Sequence, residues 1–283
     1  MKINTLLVCA MLLLPFETKS QSLVFTDEEQ RAYEENKTEM VVPVEFLAGD
    51  AFAAIQADYK VNPYDTKTIR RLCVRMETHK YIHNYILETA QQRIRHKRDI
   101  EIQYWDSIAA YLIPVNPEMT GRFVGYAISM SKELDLTDET NAILMQEGIR
   151  LFQWLRVNPC VNLAREEMDT LKSVLNPEQI EKVIHRRNKT EVDNRVQSIW
   201  ETLANAELIE ELDKDAEQKR AETYIQKELF IRDYYIGDHS LISANLDDLY
   251  RHKPTVINMY EGLLQKESIK KKYEEKVGFE YSW

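Results

Sequence analysis

His79 and His83 stand four residues apart, a spacing that turns two imidazoles to one side of a helix, where they could hold a metal ion. The metalloprotease signature needs a glutamate directly after the first histidine, and Lys80 occupies that position. No third ligand stands nearby in sequence. His83 shares its face with Cys73, Met76 and Leu87, which describes a partly buried structural histidine. Cys73 and Cys160 could form a single disulfide in an oxidising compartment, closing a loop of about 90 residues with a stabilisation of up to about 4 kcal/mol. The alternative is two buried thiols, since free cysteine is among the most buried residue types. The run Arg93-Ile94-Arg95-His96-Lys97-Arg98 could grip an anionic partner, yet Glu88, Asp99 and Glu101 surround it, as on a solvated helix face.

Other chemistry is not nominated. Gly121 and Gly125 are expected on one helix, where they leave a smooth face for a close helix crossing. They are not expected to form a phosphate loop, which needs consecutive backbone amides in a turn. With 47 acidic residues, chance neighbours are inevitable, so paired carboxylates identify no acid/base site. There is no Gly-rich nucleotide loop, no Gly-x-Ser-x-Gly elbow and no calcium loop. No cofactor is implied, and no catalytic residue is singled out.

The elements that must position these residues read as helices. Only 7 Gly and 8 Pro occur in 283 residues, which leaves few tight turns, and 44% hydrophobic with 30% charged residues suits a core with long solvated faces. A charged first helix or arm is expected over 27–40 and a second helix over 45–58. From Asp65 to about Leu112 the apolar steps predict one amphipathic helix, or two nearly collinear ones. Pro114 and Pro117 end it, and a new helix opens at Asn116-Pro117-Glu118. Helices follow from Thr137 to Leu155 and from Leu163 to Leu175. Asn176-Pro177-Glu178-Gln179 then reads as a capping box that opens a charged helical stretch to about Tyr235. Two shorter helices are expected near 240–252 and 254–275. Asp106–Pro114 and Asp169–Pro177 echo one another, which is how any two helix–turn–helix junctions at a proline look. The fold expected is an all-α, elongated multi-helix bundle of antiparallel helices joined by short proline-containing turns.

Lys2 followed by the apolar run Leu6–Leu14 and a polar segment with small residues has the layout of a secretory leader. Cleavage is expected after Ser20 or Ser22, and the stretch from Thr5 to Phe16 is shorter than the roughly 20 apolar residues a membrane span needs. Cys9 suits lipid attachment poorly, because Val8 stands where a small residue is wanted. A periplasmic or secreted protein without a transmembrane anchor follows. Losing Lys2, Glu17 and Lys19 takes the net charge from −10 to −11, which argues against a nucleic-acid partner. The organisation expected is a leader over 1–20 or 1–22, an arm with the first helices over 23–62, a helical domain over 63–275 and a tail over 276–283.

Leu136-Thr137-x-x-Thr140 and Leu175-Asn176-x-x-Gln179, each opening a helix, resemble the paired Leu-Thr-x-x-Gln motifs of the Spy/CpxP periplasmic proteins. Thr140 stands in place of the glutamine in one copy and Asn176 in place of the threonine in the other. The resemblance spans residues 134–190. It implies an all-helical envelope protein of the stress-response type, acting as an ATP-independent chaperone through a concave apolar and charged surface. The C-terminus differs from the rest: Val277, Phe279, Tyr281 and Trp283 alternate with Gly278, Glu280 and Ser282. This period-two pattern resembles the terminal strand signal of outer-membrane barrel proteins over seven residues, with no barrel strands before it. An extended tail is expected, docked along its own helices or added to a partner's sheet edge.

Two functions emerge as expectations. The first is an exported protein-binding protein, chaperone-like or a scaffold of an envelope apparatus, with other envelope proteins as partners and Val277, Phe279, Tyr281 and Trp283 as candidate contacts. The second is a metal-binding or hydrolytic envelope enzyme built around His79 and His83. An exposed apolar concavity favours the first, and histidines converging with acids in a deep pocket favour the second.

Overall fold

Capping chemistry sets where the helices begin, and apolar stripes set how they pack. The computed structural model describes residues 25–39, 42–86, 89–209 and 212–280. The leader read over residues 1–22 lies outside them. Among the described residues the chain forms eleven α-helices and short 3-10 turns, with no strand, in agreement with the all-α multi-helix expectation. None of these helices is long and apolar enough to cross a membrane. The described residues divide into two compact units: one holds those up to Thr120 together with Met145–Cys160, the other Gly121–Leu144 together with those from Val161 onward. The single helical domain read over 63–275 is thus drawn from both.

The first unit contains α1 (Asp27–Asn36), α2 (Val44–Asp58), α3 (Thr66–Ile86), α4 (Ala90–Leu112) and the later part of α6 (Asp138–Val157). Helix α3 is its central rod, packed by α1, α2 and α4. Phe52 and Ile55 of α2, Ile69 and Ile82 of α3, and Tyr104, Ile108 and Leu112 of α4 are buried. Each such side chain is worth about 1.5–3 kcal/mol of apolar burial. The stretch read as one rod or two collinear ones is a hairpin: His79 meets Tyr104 and Lys80 meets Glu101, so α3 and α4 run antiparallel. Thr89 opens α4 through a capping box with Gln92, which halts the preceding helix without Gly or Pro. After α4, Asn116 stitches the chain back. Its amide donates to the Lys60 and Leu112 carbonyls at 2.8 and 2.9 Å, and its carbonyl accepts the Lys60 N–H at 2.8 Å.

The second unit contains α5 (Val124–Ser129), the start of α6, α7 (Ala164–Val174), α8 (Pro177–Asn205), α9 (Lys214–Tyr234), α10 (His239–Arg251) and α11 (Thr255–Glu280). The capping box predicted at Asn176–Gln179 is present, with both reciprocal bonds at 2.9–3.0 Å. Its core joins Val192, Ile199 and Leu203 of α8 to Ala221, Ile225 and Leu229 of α9 and to Val256 and Ile257 of α11. The stretch expected to be helical to Tyr235 also folds back, because α8 stops at Asn205. Glu207 takes the left-handed conformation at φ 58°, the Leu208 N–H donates to the Leu203 carbonyl and the Glu207 N–H to that of Ala204, which is a Schellman stop built without glycine.

The extended tail is corrected over its first half. Helix α11 runs through Glu280, so Val277 and Phe279 lie on a helix, carried by the helix-forming run Lys270–Lys276 that precedes them. Tyr281, Ser282 and Trp283 lie outside the described residues.

Candidate functional site

The two histidines do meet a carboxylate, supplied by a residue fifty positions upstream. Thr26 and Glu29 form a capping box at the start of α1: the Thr26 N–H donates to Glu29 Oε2 at 2.8 Å and the Glu29 N–H to Thr26 Oγ1 at 3.2 Å. This fixes the Glu29 carboxylate over α3, 3.2 Å from His83 Nε2 and 3.7 Å from His79 Nε2. The Phe25 ring stands edge-on to His79 at 4.3 Å, the Tyr104 hydroxyl hydrogen-bonds His79 Nδ1 at 3.0 Å, and His96 stacks on His83 at 5.4 Å. The Thr26-x-x-Glu29 spacing is a readable helix start; its meeting with the histidines is tertiary and leaves no mark in the sequence.

Electrostatics make this a neutral keystone. His79 is 5% exposed, and burial pushes its imidazole down to about 4 against the pull of Glu29. Burial also lowers His83, helped by His96 and opposed by Glu29. Both rings are therefore uncharged at neutral pH. His79 Nε2 is buried without a hydrogen-bond partner, and among the described residues no group of three or more His, Cys, Asp or Glu is arranged to hold a metal ion.

The cysteine bridge weighed above is not formed. Cys73 is completely buried on α3, with its thiol pushed up to about 11 by desolvation, while Cys160 is exposed, and both are free.

Gly121 requires a second correction. It lies in a turn at φ 116°, not on a helix, and the next three amides do converge on an anion. The N–H groups of Arg122, Phe123 and Val124 donate to the Glu167 carboxylate at 2.6–3.0 Å. A Cβ on Gly121 would collide with Glu167 Oε1, so glycine serves both the backbone angle and the close approach. Glu167 is 1% exposed; burial raises its pKa and the three amides pull it back. Beside it, Arg122 pairs with buried Asp233 at 2.6 Å, and Asn188 donates to the same carboxylate at 2.8 Å. An internal carboxylate occupies the anion position, so this constellation holds the second unit together. Gly125 is buried on α5, which packs against α7 and α8.

Two of the open concavities, one in each unit, combine apolar and charged linings. In the second, Tyr224, Tyr250 and Tyr260 surround Ile199, Ile225 and Ile257 in a cleft of about 530 Å³. Its charges satisfy one another, Arg195 with Glu228 at 3.4 Å and Lys253 with Glu261 at 2.7 Å. In the first, α4 and the end of α6 form a groove of about 440 Å³ around Ile102, Trp154 and Val157, with Arg98 and Arg156 on its walls. These apolar residues are 40%, 49% and 66% exposed. Arg156 lies over the Trp105 ring at 4.7 Å, and among the described residues neither arginine has a carboxylate within ion-pair reach. Glu101, also on the wall, is engaged by Lys80 at 3.0 Å. The basic run thus contributes Arg98 to a groove that α6 completes.

Leu136–Thr140 and Leu175–Gln179 sit at helix starts. Thr137 Oγ1 accepts the Thr140 N–H at 3.2 Å, and Gln179 reaches beyond its own cap to donate to the Leu134 carbonyl at 2.8 Å. Comparison with family models, curated proteins and solved structures finds no match to this chain.

Proposed function

We propose that the chain is an exported helical protein-binding protein, chaperone-like or a scaffold among envelope proteins, and that it binds through the Trp154 groove. The observation that carries this reading is the groove's composition. A half-exposed tryptophan and two arginines without carboxylate partners are residue types enriched at protein–protein hot spots, and the exposed Ile102 and Val157 beside them add apolar surface. The leader-like residues 1–22 and the capping motifs at 136–140 and 175–179 support the envelope setting.

Photo-crosslinking tests it. A benzophenone amino acid at Val157 should give discrete protein adducts in intact cells, whereas the same group at Tyr64, 92% exposed and outside the groove, should not. Equal adduct patterns, or none at Val157, refute the groove. Removing residues 277–283 in the same experiment asks whether Val277, Phe279, Tyr281 and Trp283 add contacts.

The second reading, a metal-binding or hydrolytic enzyme at His79 and His83, draws on the approach of Glu29 to both rings. Stoichiometric zinc or iron in the purified protein, lost on His79→Leu, would favour it.

A further inference from the structure

We infer that the occupant of the Trp154 groove is an acidic amphipathic helix of a partner protein, seating apolar side chains on Ile102, Trp154 and Val157 and its carboxylates on Arg98 and Arg156. This rests on the protein-binding reading and names the chemistry of the partner.

Charge selects the partner's sign. The chain is acidic overall at −10, yet the charges left uncompensated at this groove are Arg98 and Arg156, and the one carboxylate on its wall is held by Lys80. A basic segment would meet two bare cations, and an acidic one completes both pairs. Arginine's planar fork suits a carboxylate better than a point charge would, and Arg156 is held in place by the Trp105 and Phe152 rings at 4.7 and 5.7 Å.

Geometry selects a helix. Among the described residues there is no strand, so no sheet edge can take an extended peptide by main-chain pairing. The partner must be read by its side chains. Ile94, 72% exposed, lies two turns before Ile102 along the face that carries Arg98, so the apolar line on α4 is about 12 Å long. A helix covers that length with anchors at i, i+3 or i+4, and i+7. An anionic membrane would be drawn by the same arginines, but the overall negative charge of the chain opposes a broad anionic surface and leaves a single peptide favoured.

The test uses the purified full chain and a fluorescein-labelled synthetic helix of about 14 residues, long enough to be helical when bound. Leucines occupy its i, i+4 and i+7 positions with glutamates flanking them. Three probes accompany it: the same helix with lysines for glutamates, a scrambled acidic helix, and vesicles of anionic phospholipid. Anisotropy should show the acidic amphipathic helix binding at least tenfold tighter than the lysine or scrambled versions, with affinity falling as salt rises. The double variant Arg98→Glu/Arg156→Glu should invert the preference toward the lysine helix. Trp154→Ala should weaken both by tenfold or more. All these side chains are exposed, and matching thermal melts establish that the variants fold. Equal binding of lysine and acidic helices, an unchanged double variant, or binding to vesicles with none to peptide would each overturn the inference. Adducts at Val157 in cells alongside those results would leave the protein-binding reading standing and remove only the acidic helix.

Discussion

Acidification should destabilise the first unit through His79, and the size of the effect follows from its burial. In the unfolded chain the imidazole takes its proton near pH 6.5; in the folded chain it does so only near pH 4. Between these values the unfolded state carries the extra proton. The contribution of a neutral His79 is therefore complete above pH 6.5 and lost as the pH falls toward 4. At 1.36 kcal/mol per unit this is about 3 kcal/mol, a large share of a typical domain's stability. The perturbation that isolates it is His79→Leu. At pH 7 the variant leaves the Tyr104 hydroxyl without its partner and should cost about 1 kcal/mol. At pH 4 it no longer suffers the buried proton, so it should be the more stable of the two. Urea titrations of both proteins between pH 7.5 and 4 should therefore give stability curves that cross. Carboxylates remote from the site are common to both proteins and cancel in the difference; Glu29 and His83, which face His79, are the neighbours whose titration the substitution also changes. Parallel curves, with His79→Leu below the wild type by a constant amount throughout, would refute the reasoning.

Three further outcomes follow from the packing. Glu167→Ala strands the amides of Arg122, Phe123 and Val124 and should cost about 3–5 kcal/mol in urea denaturation, whereas Glu167→Gln keeps one acceptor oxygen and should cost about 1–2; equal losses would show that acceptance by the carboxylate is not what matters. Glu207→Gly relieves a left-handed penalty of about 1–2 kcal/mol at some cost in unfolded-chain freedom, so a net gain of about 1 kcal/mol is expected, with none from Glu207→Ala. In the native protein a maleimide should modify Cys160 and spare Cys73 until denaturant is added, as read by peptide mass mapping.

Helix content was legible because it is local: scarce Gly and Pro, apolar residues at three- and four-residue steps, and the Asn176–Gln179 cap are all read within a few positions. The reversals were not. Both long hairpins turn at segments that lack Gly and Pro, one at the Thr89 cap and the other at a left-handed Glu207, so the pattern runs on where the chain does not. The i, i+4 spacing of His79 and His83 was visible, but Glu29, Tyr104 and Phe25 reach them across the fold. Glu167 looks like any other acid among 47, and only burial distinguishes it. The terminal alternation misled for a physical reason: seven residues of period-two pattern compete with a strong helix former directly upstream, and the helix propagates.

The partition of the chain bears on how it can be dissected. The boundary is crossed after Thr120, again after Leu144 and once more after Cys160, the middle crossing falling inside the continuous helix α6. A gene truncated at position 120 would encode Trp105 and Tyr59 without Phe152 and Arg156, which also pack on the Trp105 ring. One begun at 121 would carry residues 145–160 as an orphaned segment. Expression of the groove-bearing half in isolation therefore calls for a spliced design, residues 25–120 joined by a linker to 145–160, and simple nested deletions should yield insoluble product from either end.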